Sequence, residues 1–487
     1  VSFYALSDLI LFRTAKLTRG EKNKMHFGKI LWLCKFLWLS AIGVGLVESS
    51  LRGEDKGWQA GVAKIKITPP QPMPMAGYAS RGSQHATGTL NDLWAKALLI
   101  EDANGQRGLL VTMDLCGIDN QLSHDMCTSL ADKLGLQRKQ IVLSVSHTHS
   151  GPVVAKNLRP MHWQMFSEVD QKLVDDYANW LVEQVTQCAV QAHENLKPSR
   201  VTYGNGVVTF ATNRRNNPAD DVPKRRAAGL LAGPVDHSLP VLAVYQQDQL
   251  KAAVFGYACH CTTLGEMEWS GDYAGFAQEE IEAQRPGCTA MFWAGCGADQ
   301  NPLPRRTVEL AHQYGRELAS GVLDVLNGYL QPIAPSLSTQ YEEIPLPFSE
   351  LPSEQQLATD ANSDNPYIAS RARYLLSEIK AGKPLQPTYP YPVSCWKLGD
   401  SLKWIALGGE VVVDFSLAIK AAEALPASTW VMGYAHDVMA YIPSRRVLTE
   451  GGYEGGGAMV YYGLPTTWAP EIEALILQAV KRQIEQQ

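Results

Sequence analysis

Cysteine is scarce in this chain: nine occur among 487 residues, and none stands three positions from another. That excludes a disulfide-dense scaffold, a zinc ribbon and a thioredoxin-like redox pair. Setting aside Cys34 near the N-terminus, eight remain; Cys259 and Cys261 flank His260, and Cys116, Cys127, Cys188, Cys288, Cys296 and Cys395 are open to pairing or to burial as apolar residues. Positive charge is not in excess either. Lys and Arg total 43 against 49 Asp and Glu, a formal net charge of -6, so the chain lacks the field that draws nucleic-acid phosphates. The Gly451-to-Gly457 stretch carries no lysine or Ser/Thr in the phosphate-loop arrangement, which argues against nucleotide binding.

Long apolar runs are also missing after the first fifty residues. Before that, Lys22, Lys24, His26 and Lys29 precede Ile30 to Leu33, and the run resumes after Lys35 as Phe36 to Val47 and ends near Ser49-Ser50. A basic start, an apolar middle and a small, polar end read as a signal peptide. Lys35 interrupts the run short of the roughly 20 apolar residues that span a bilayer, though an uncleaved anchor is the alternative. The expectation is residues 1–24 as a non-structural extension, 25–56 as signal peptide or anchor, and an exported (periplasmic or secreted) protein with one large domain over 57–487.

What is present is a large globular core, with 45% hydrophobic and 19% charged residues. Strand-like Arg107 to Asp114, an amphipathic helix Gln121 to Leu134 and strand-like Gln140 to Val145 form a β-α-β unit. Strand-like Leu242 to Tyr245 and Ala252 to Phe255, a helix Asp272 to about Gln284, strand-like Thr289 to Phe292 and a helix Val308 to about Leu326 continue the alternation, which makes the class α/β with a mixed sheet and flanking helices. Asn213 to Asp221 is too polar to bury itself and is expected as a loop. Leu346 to Pro392, around a helix Ile368 to Ile379, is expected as a surface excursion. An amphipathic helix, Pro470 to Ile484, ends the chain.

His147 and His149 follow a buried strand, where α/β sites are built, and would share one face if extension continued through Thr148. His260 ends a second such strand. Glu410 follows Gly408-Gly409, which permit close backbone approach, before a helix expected to begin at Val411. The Gly297-to-Pro302 loop can line a site or cap the next helix. Each has an equally good structural explanation alone: hydrogen-bonded polar residues at strand ends, or a carboxylate at a helix N-terminus. Met161, Trp163, Met165 and Phe166 either line an apolar groove or belong to the core.

Taken together, Ala76-Gly77-Tyr78, Ser146-His147-Thr148-His149-Ser150-Gly151-Pro152, His260 with Thr262-Thr263, Gly271 to Gly275, the Ala294-to-Pro302 loop, Gly409-Glu410 and the Tyr441/Tyr453 region resemble the neutral, non-lysosomal ceramidase family. The resemblance implies one zinc ion per chain held by His147, His260, Glu410 and Tyr441, with His149, Tyr453 and Arg214 on the substrate side, Arg215 competing with Arg214 for that place. It implies hydrolysis of the N-acyl amide of ceramide or a related lipid by metal-activated water, with possible peripheral membrane contact. Two departures stand out: no strand-rich remainder is left for the C-terminal immunoglobulin-like domain of long members, and Asp299-Gln300-Asn301-Pro302 has no serine to act as nucleophile. The competing readings are a cysteine hydrolase using Cys259, Cys261 or Cys296 beside His260, and a non-catalytic exported binding protein.

Overall fold

The computed structural model describes residues 57–487; the segment expected to direct export lies outside them. Eight strands make the main path of a large sheet: β1 (Trp58–Lys66), β2 (Trp94–Glu101), β3 (Arg107–Met113), β4 (Ile141–Val145), β5 (Lys197–Val207), β6 (Ser238–Gln246), β7 (Gln249–Tyr257) and β8 (Thr289–Ala294). Their hydrogen-bonded order is β8-β7-β6-β5-β1-β2-β3-β4, with the short strand Gln331–Pro332 added against β5. The sheet is mixed as expected: β3 with β4 and β7 with β8 are parallel, and the other neighbours on the path are antiparallel.

Several of its strands are apolar on both faces because both faces are covered. Alternate residues divide between two cores. Leu99, Leu109 and Ile141 pack with Leu122, Met126, Val174, Leu181 and Leu318 of the helices Asn120–Leu134, Glu168–Glu194 and Val308–Asn327. Their chain neighbours Leu98, Leu110 and Val142 face the other way, into a core with Trp396, Trp404 and Trp430. Those tryptophans belong to a second sheet of β9 (Leu337–Pro347), β10 (Thr388–Leu398), β11 (Leu402–Leu407) and β12 (Thr429–Met432), paired in that order. Trp404 lies 5.7 Å from Trp293 of the large sheet and 5.4 Å from Trp430, a tilted and an edge-on pair. The outer face of the second sheet is covered by Phe415 and Ile419 of the helix Val413–Ala421 and by Ile472, Ile476 and Val480 of the helix Ile472–Glu485. The layers are therefore helix, sheet, sheet, helix.

Three expectations are revised here. Leu346 to Pro392 is no excursion throughout: its two ends belong to β9 and β10, which pair over eleven residues, and Leu346 and Tyr391 are fully buried. Proline misled, because Pro345, Pro390 and Pro392 sit inside these strands. The Asn213-to-Asp221 segment is largely the loop expected, but it does bury two polar side chains: Asn213 donates to Pro234 O and Asp299 Oδ2, and Asn217 donates to Asn213 O and Ala232 O. The helix after Glu410 begins at Val413 rather than Val411; Glu410–Val411 instead pairs as a short parallel strand with Tyr441–Ile442.

One connection decides where the site falls. The chain leaving β12 runs between the last strands of the large sheet, with Gly433 N donating to Ala294 O of β8 at 3.0 Å and His436 N to Leu143 O of β4 at 2.8 Å. It thereby draws the exits of β4 and β8 to the same place.

Candidate metal centre

His147 stands just beyond β4 in a left-handed conformation, φ 58°, so extension does not continue through to Thr148. Such a conformation costs a non-glycine residue about 1–2 kcal/mol and persists only where its surroundings impose it. Here Ser146 N is tied to Met113 O, and the imidazole Nδ1 lies 2.6 Å from Cys116 O. His260, beyond β7, is tied by its N–H to Gln300 O at 2.9 Å, and its Nδ1 lies 2.9 Å from Gly297 O. A carbonyl only accepts, so in both rings Nδ1 carries the proton and Nε2 presents a lone pair.

Both lone pairs meet Glu410. Its Oε2 is 3.1 Å from His147 Nε2 and 3.1 Å from His260 Nε2, and all three residues are buried. Gly409 (φ 75°) makes this approach possible, since a Cβ there would come within 2.7 Å of Ile442 Cγ1 and 2.8 Å of Ala440 O. Glu410 Oε1 accepts from Tyr462 Oη, while Oε2 has no hydrogen-bond donor. Three acceptor atoms facing one another in a buried pocket repel unless a proton or a cation lies among them. Burial opposes charge on His147, yet Glu410 outweighs it and raises the ring to about 10; burial, then Arg214, holds His260 down to about 4. Without a metal, the Glu410 carboxylate thus favours a proton on His147 over one on His260. Two imidazoles with carbonyl partners and one carboxylate form a donor set that suits zinc. These residues fit such an ion. A second grouping, Cys116 with His147 and His149, fits less well, because His147 Nδ1 is already committed to Cys116 O.

Tyr441 joins the centre from the paired short strand. Its Oη is 3.3 Å from His260 Nε2 and accepts from Arg214 Nη2 at 3.0 Å. His149 arrives beside it, Nε2 3.1 Å from His147 Nε2, although the backbone between the two histidines is not extended. Gly77 (φ 91°) makes room for that ring: a Cβ there would sit 2.5 Å from His149 Cγ. Burial, followed by the neighbouring imidazoles of His147 and His260, keeps His149 well below the usual histidine range, so it is neutral at pH 7. Tyr453 stands at the mouth, half exposed, its ring edge-on to Tyr441 at 5.3 Å.

The competition between the two arginines is resolved by position. Arg214 reaches inward to Tyr441, while Arg215 turns to Glu450 at 3.0 Å; Glu454 binds both, at 2.6 Å each. Of the two roles left open for the Gly297-to-Pro302 loop, it takes the first: Gly297 O orients His260, while the next helix is capped by Thr307 and Asp299 Oδ1 accepts from Val413 N at the start of a later one.

Residues that no sequence pattern marked also take part. Tyr434, with φ 52°, lies against the His147 ring at 4.5 Å and reaches His260 Nδ1 at 3.3 Å through its hydroxyl. Tyr462 and Glu454 are the others; an isolated tyrosine or glutamate carries no periodic signal. The eight cysteines of the described residues are all free and buried. Burial pushes the Cys259, Cys261 and Cys296 thiols up, against a thiolate nucleophile. Of the apolar quartet, Met161 and Phe166 are core, whereas Met165 is exposed and Trp163 half-buried.

Residues 58–295 match the family model described as neutral/alkaline non-lysosomal ceramidase, N-terminal. Curated relatives include the neutral ceramidase of Pseudomonas aeruginosa, 25% identical over 50% of this chain and 36% of that protein, and the neutral ceramidase of Oryza sativa subsp. japonica, 25% identical over 52% and 33%. The chain thus spans about a third of the length of these relatives. Among solved structures, the crystal structure of the Pseudomonas aeruginosa neutral ceramidase superposes with a TM-score of 0.65 at 19% identity, covering 88% of this chain and 74% of that one. A ceramidase complexed with C2 gives 0.66 at 18% identity, covering 87% and 74%. The fold is therefore that of the neutral ceramidases. Over the matched residues, the chain belongs to the neutral/alkaline non-lysosomal ceramidase family.

Proposed function

We propose that the chain is a hydrolase of N-acyl amides, ceramide or a related N-acyl lipid or amine, working with one zinc ion held by His147, His260, Glu410 and Tyr441. The observation that carries this reading is the convergence of three buried lone pairs, from His147, His260 and Glu410, with no donor assigned to Glu410 Oε2. When bound, zinc would supply a Lewis acid to polarise the amide carbonyl and to lower the pKa of water toward about 7.

The remaining work falls to this chain's own side chains. Cys116 O and Gly297 O hold the two imidazoles in the tautomer that turns Nε2 inward, and Tyr462 fixes the Glu410 carboxylate. His149, neutral and free of ligand duty, takes the proton of the attacking water and returns it to the leaving nitrogen. Tyr453, at the mouth, and Arg214, behind it against Tyr441, donate toward the oxygen on which negative charge builds up as the carbonyl becomes tetrahedral. In this reading residues 57–487 form the hydrolase domain and residues 25–56 direct export or anchor the protein. No helix among the described residues is long and apolar enough to cross a membrane.

The test is metal analysis of the purified full chain by mass spectrometry, with hydrolysis of a panel of N-acyl lipids measured with and without chelator. His147→Ala and His260→Ala are expected to lose both metal and turnover. Full metal retention in the two variants would sink the assignment, and turnover that resists chelation but is abolished by thiol alkylation would return the cysteine reading. A protein inactive on the panel when loaded with zinc would leave a binding role.

A further inference from the structure

Beside the centre lies an open cavity of about 550 Å³, whose lining includes Arg214, Arg215, Arg305, Asn301, Tyr453, Glu450 and Glu454. Its inner end is Arg214, bonded to the Tyr441 hydroxyl, so whatever occupies the cavity borders the site of chemistry. Its charges do not balance. Arg214 and Arg215 are both matched by carboxylates, through Glu454 and Glu450. Arg305 is not: among the described residues it has no ion pair within 4.0 Å and no side-chain hydrogen bond, although it is half-buried. Burial first, then the neighbouring Arg306, weigh against its charge, and Arg214 adds to that.

The adjacent arginine shows what a structural role looks like at this turn. Arg306 lies over the Tyr78 ring at 4.5 Å and donates to Leu264 O at 3.0 Å, so its cost is met by the fold. Arg305 has no such contacts. A guanidinium held near like charges, with its donors unspent and facing a cavity, is arranged for a carboxylate or phosphate from outside.

Resting on the hydrolase reading above, we infer that the cavity is a subsite for an anionic group of the substrate, seated on Arg305, so that the preferred N-acyl amide carries a carboxylate or phosphate on its amine half. A neutral sphingoid base would leave Arg305 unpaired.

The test compares the zinc-loaded full chain on three amides of one acyl length: N-lauroylglycine, N-lauroylethanolamine and its O-phosphate. Wild type is expected to favour the anionic amides in kcat/KM. Arg305→Gln is expected to lower those values by about tenfold to hundredfold, the range for losing a charge-assisted hydrogen bond, with little change for the neutral amide. Arg305→Lys should restore part of the preference. A glycine amide above the phosphate assigns the subsite to carboxylates, and the reverse order to phosphates. No anionic preference in wild type, or an equal fall on all three substrates in Arg305→Gln, overturns the inference. If none of the amides is cleaved, the hydrolase reading fails separately, and calorimetry with the uncleavable dodecylsulfonyl analogues of glycine and ethanolamine decides the subsite: tighter binding of the glycine analogue that Arg305→Gln removes upholds it, and equal binding overturns it.

Discussion

The candidate metal centre and the cavity beside it are built in opposite ways. In the centre every potential ligand is buried and fixed from behind by backbone: Cys116 O on His147, Gly297 O on His260, and the pairing of Glu410–Val411 with Tyr441–Ile442. In the cavity, Tyr453 is half exposed and Arg305 has no partner among the described residues. The contrast separates two tasks. A metal site needs lone pairs held at short range, and rigidity there serves binding; a substrate site needs donors that become satisfied only when substrate arrives.

Three changes would break or sharpen that contrast. The largest effect is expected from Glu410→Gln, which removes the charge from the centre but keeps its shape. Metal content and turnover should vanish together. Because the carboxylate that favours charge on His147 is gone, the metal-free variant should also melt lower than the metal-free wild type near neutral pH in a thermal scan. A variant that keeps zinc would show the centre to be less dependent on Glu410 than its geometry says.

Next comes His149→Ala, which touches the centre without belonging to its ligand set. Metal content should stay at the wild-type level while kcat falls by about 10²- to 10⁴-fold, the span typical of a lost general base. Loss of zinc would instead make His149 a ligand, which mass spectrometry would reveal directly.

The smallest effect is a proton count. The raised His147 pKa, about 10, means that the metal-free centre is still protonated at about pH 8, so zinc binding should release close to one proton there, read by calorimetry in buffers of different ionisation enthalpy. The sign carries over to stability: a group raised from 6.5 to about 10 on folding stabilises the metal-free protein fully below 6.5 and loses that contribution as pH rises through 10. No proton release would mean that His147 is already neutral and that the centre is preformed without charge.

How much of this was open to reading along the chain follows from what is local. The strands and helices around Arg107 to Val145 and Ala252 to Leu326 follow the sequence pattern closely, because burial on both faces writes itself as continuous apolar runs. The second sheet was hidden by prolines, polar spacers and wide separation of its strands. His147, His149 and His260 were visible as strand-end histidines, but Glu410, Tyr441, Tyr453 and Arg214 acquired roles only through resemblance to a family. Whether extension continues past β4 is not legible in the chain, since left-handed backbone at a non-glycine residue such as His147 has no compositional mark.

Taken by itself, the sequence determined the α/β class, the absence of phosphate-loop and zinc-ribbon motifs, and three histidines placed at strand ends, because each of these depends on side-chain type and short-range spacing. Only the tertiary structure decided that His147, His260 and Glu410 share one pocket, that Arg214 rather than Arg215 turns inward, and that Arg305 is left without a partner among the described residues. These are relations between segments far apart in the chain, and they exist only once the strand exits are drawn together by the segment leaving β12.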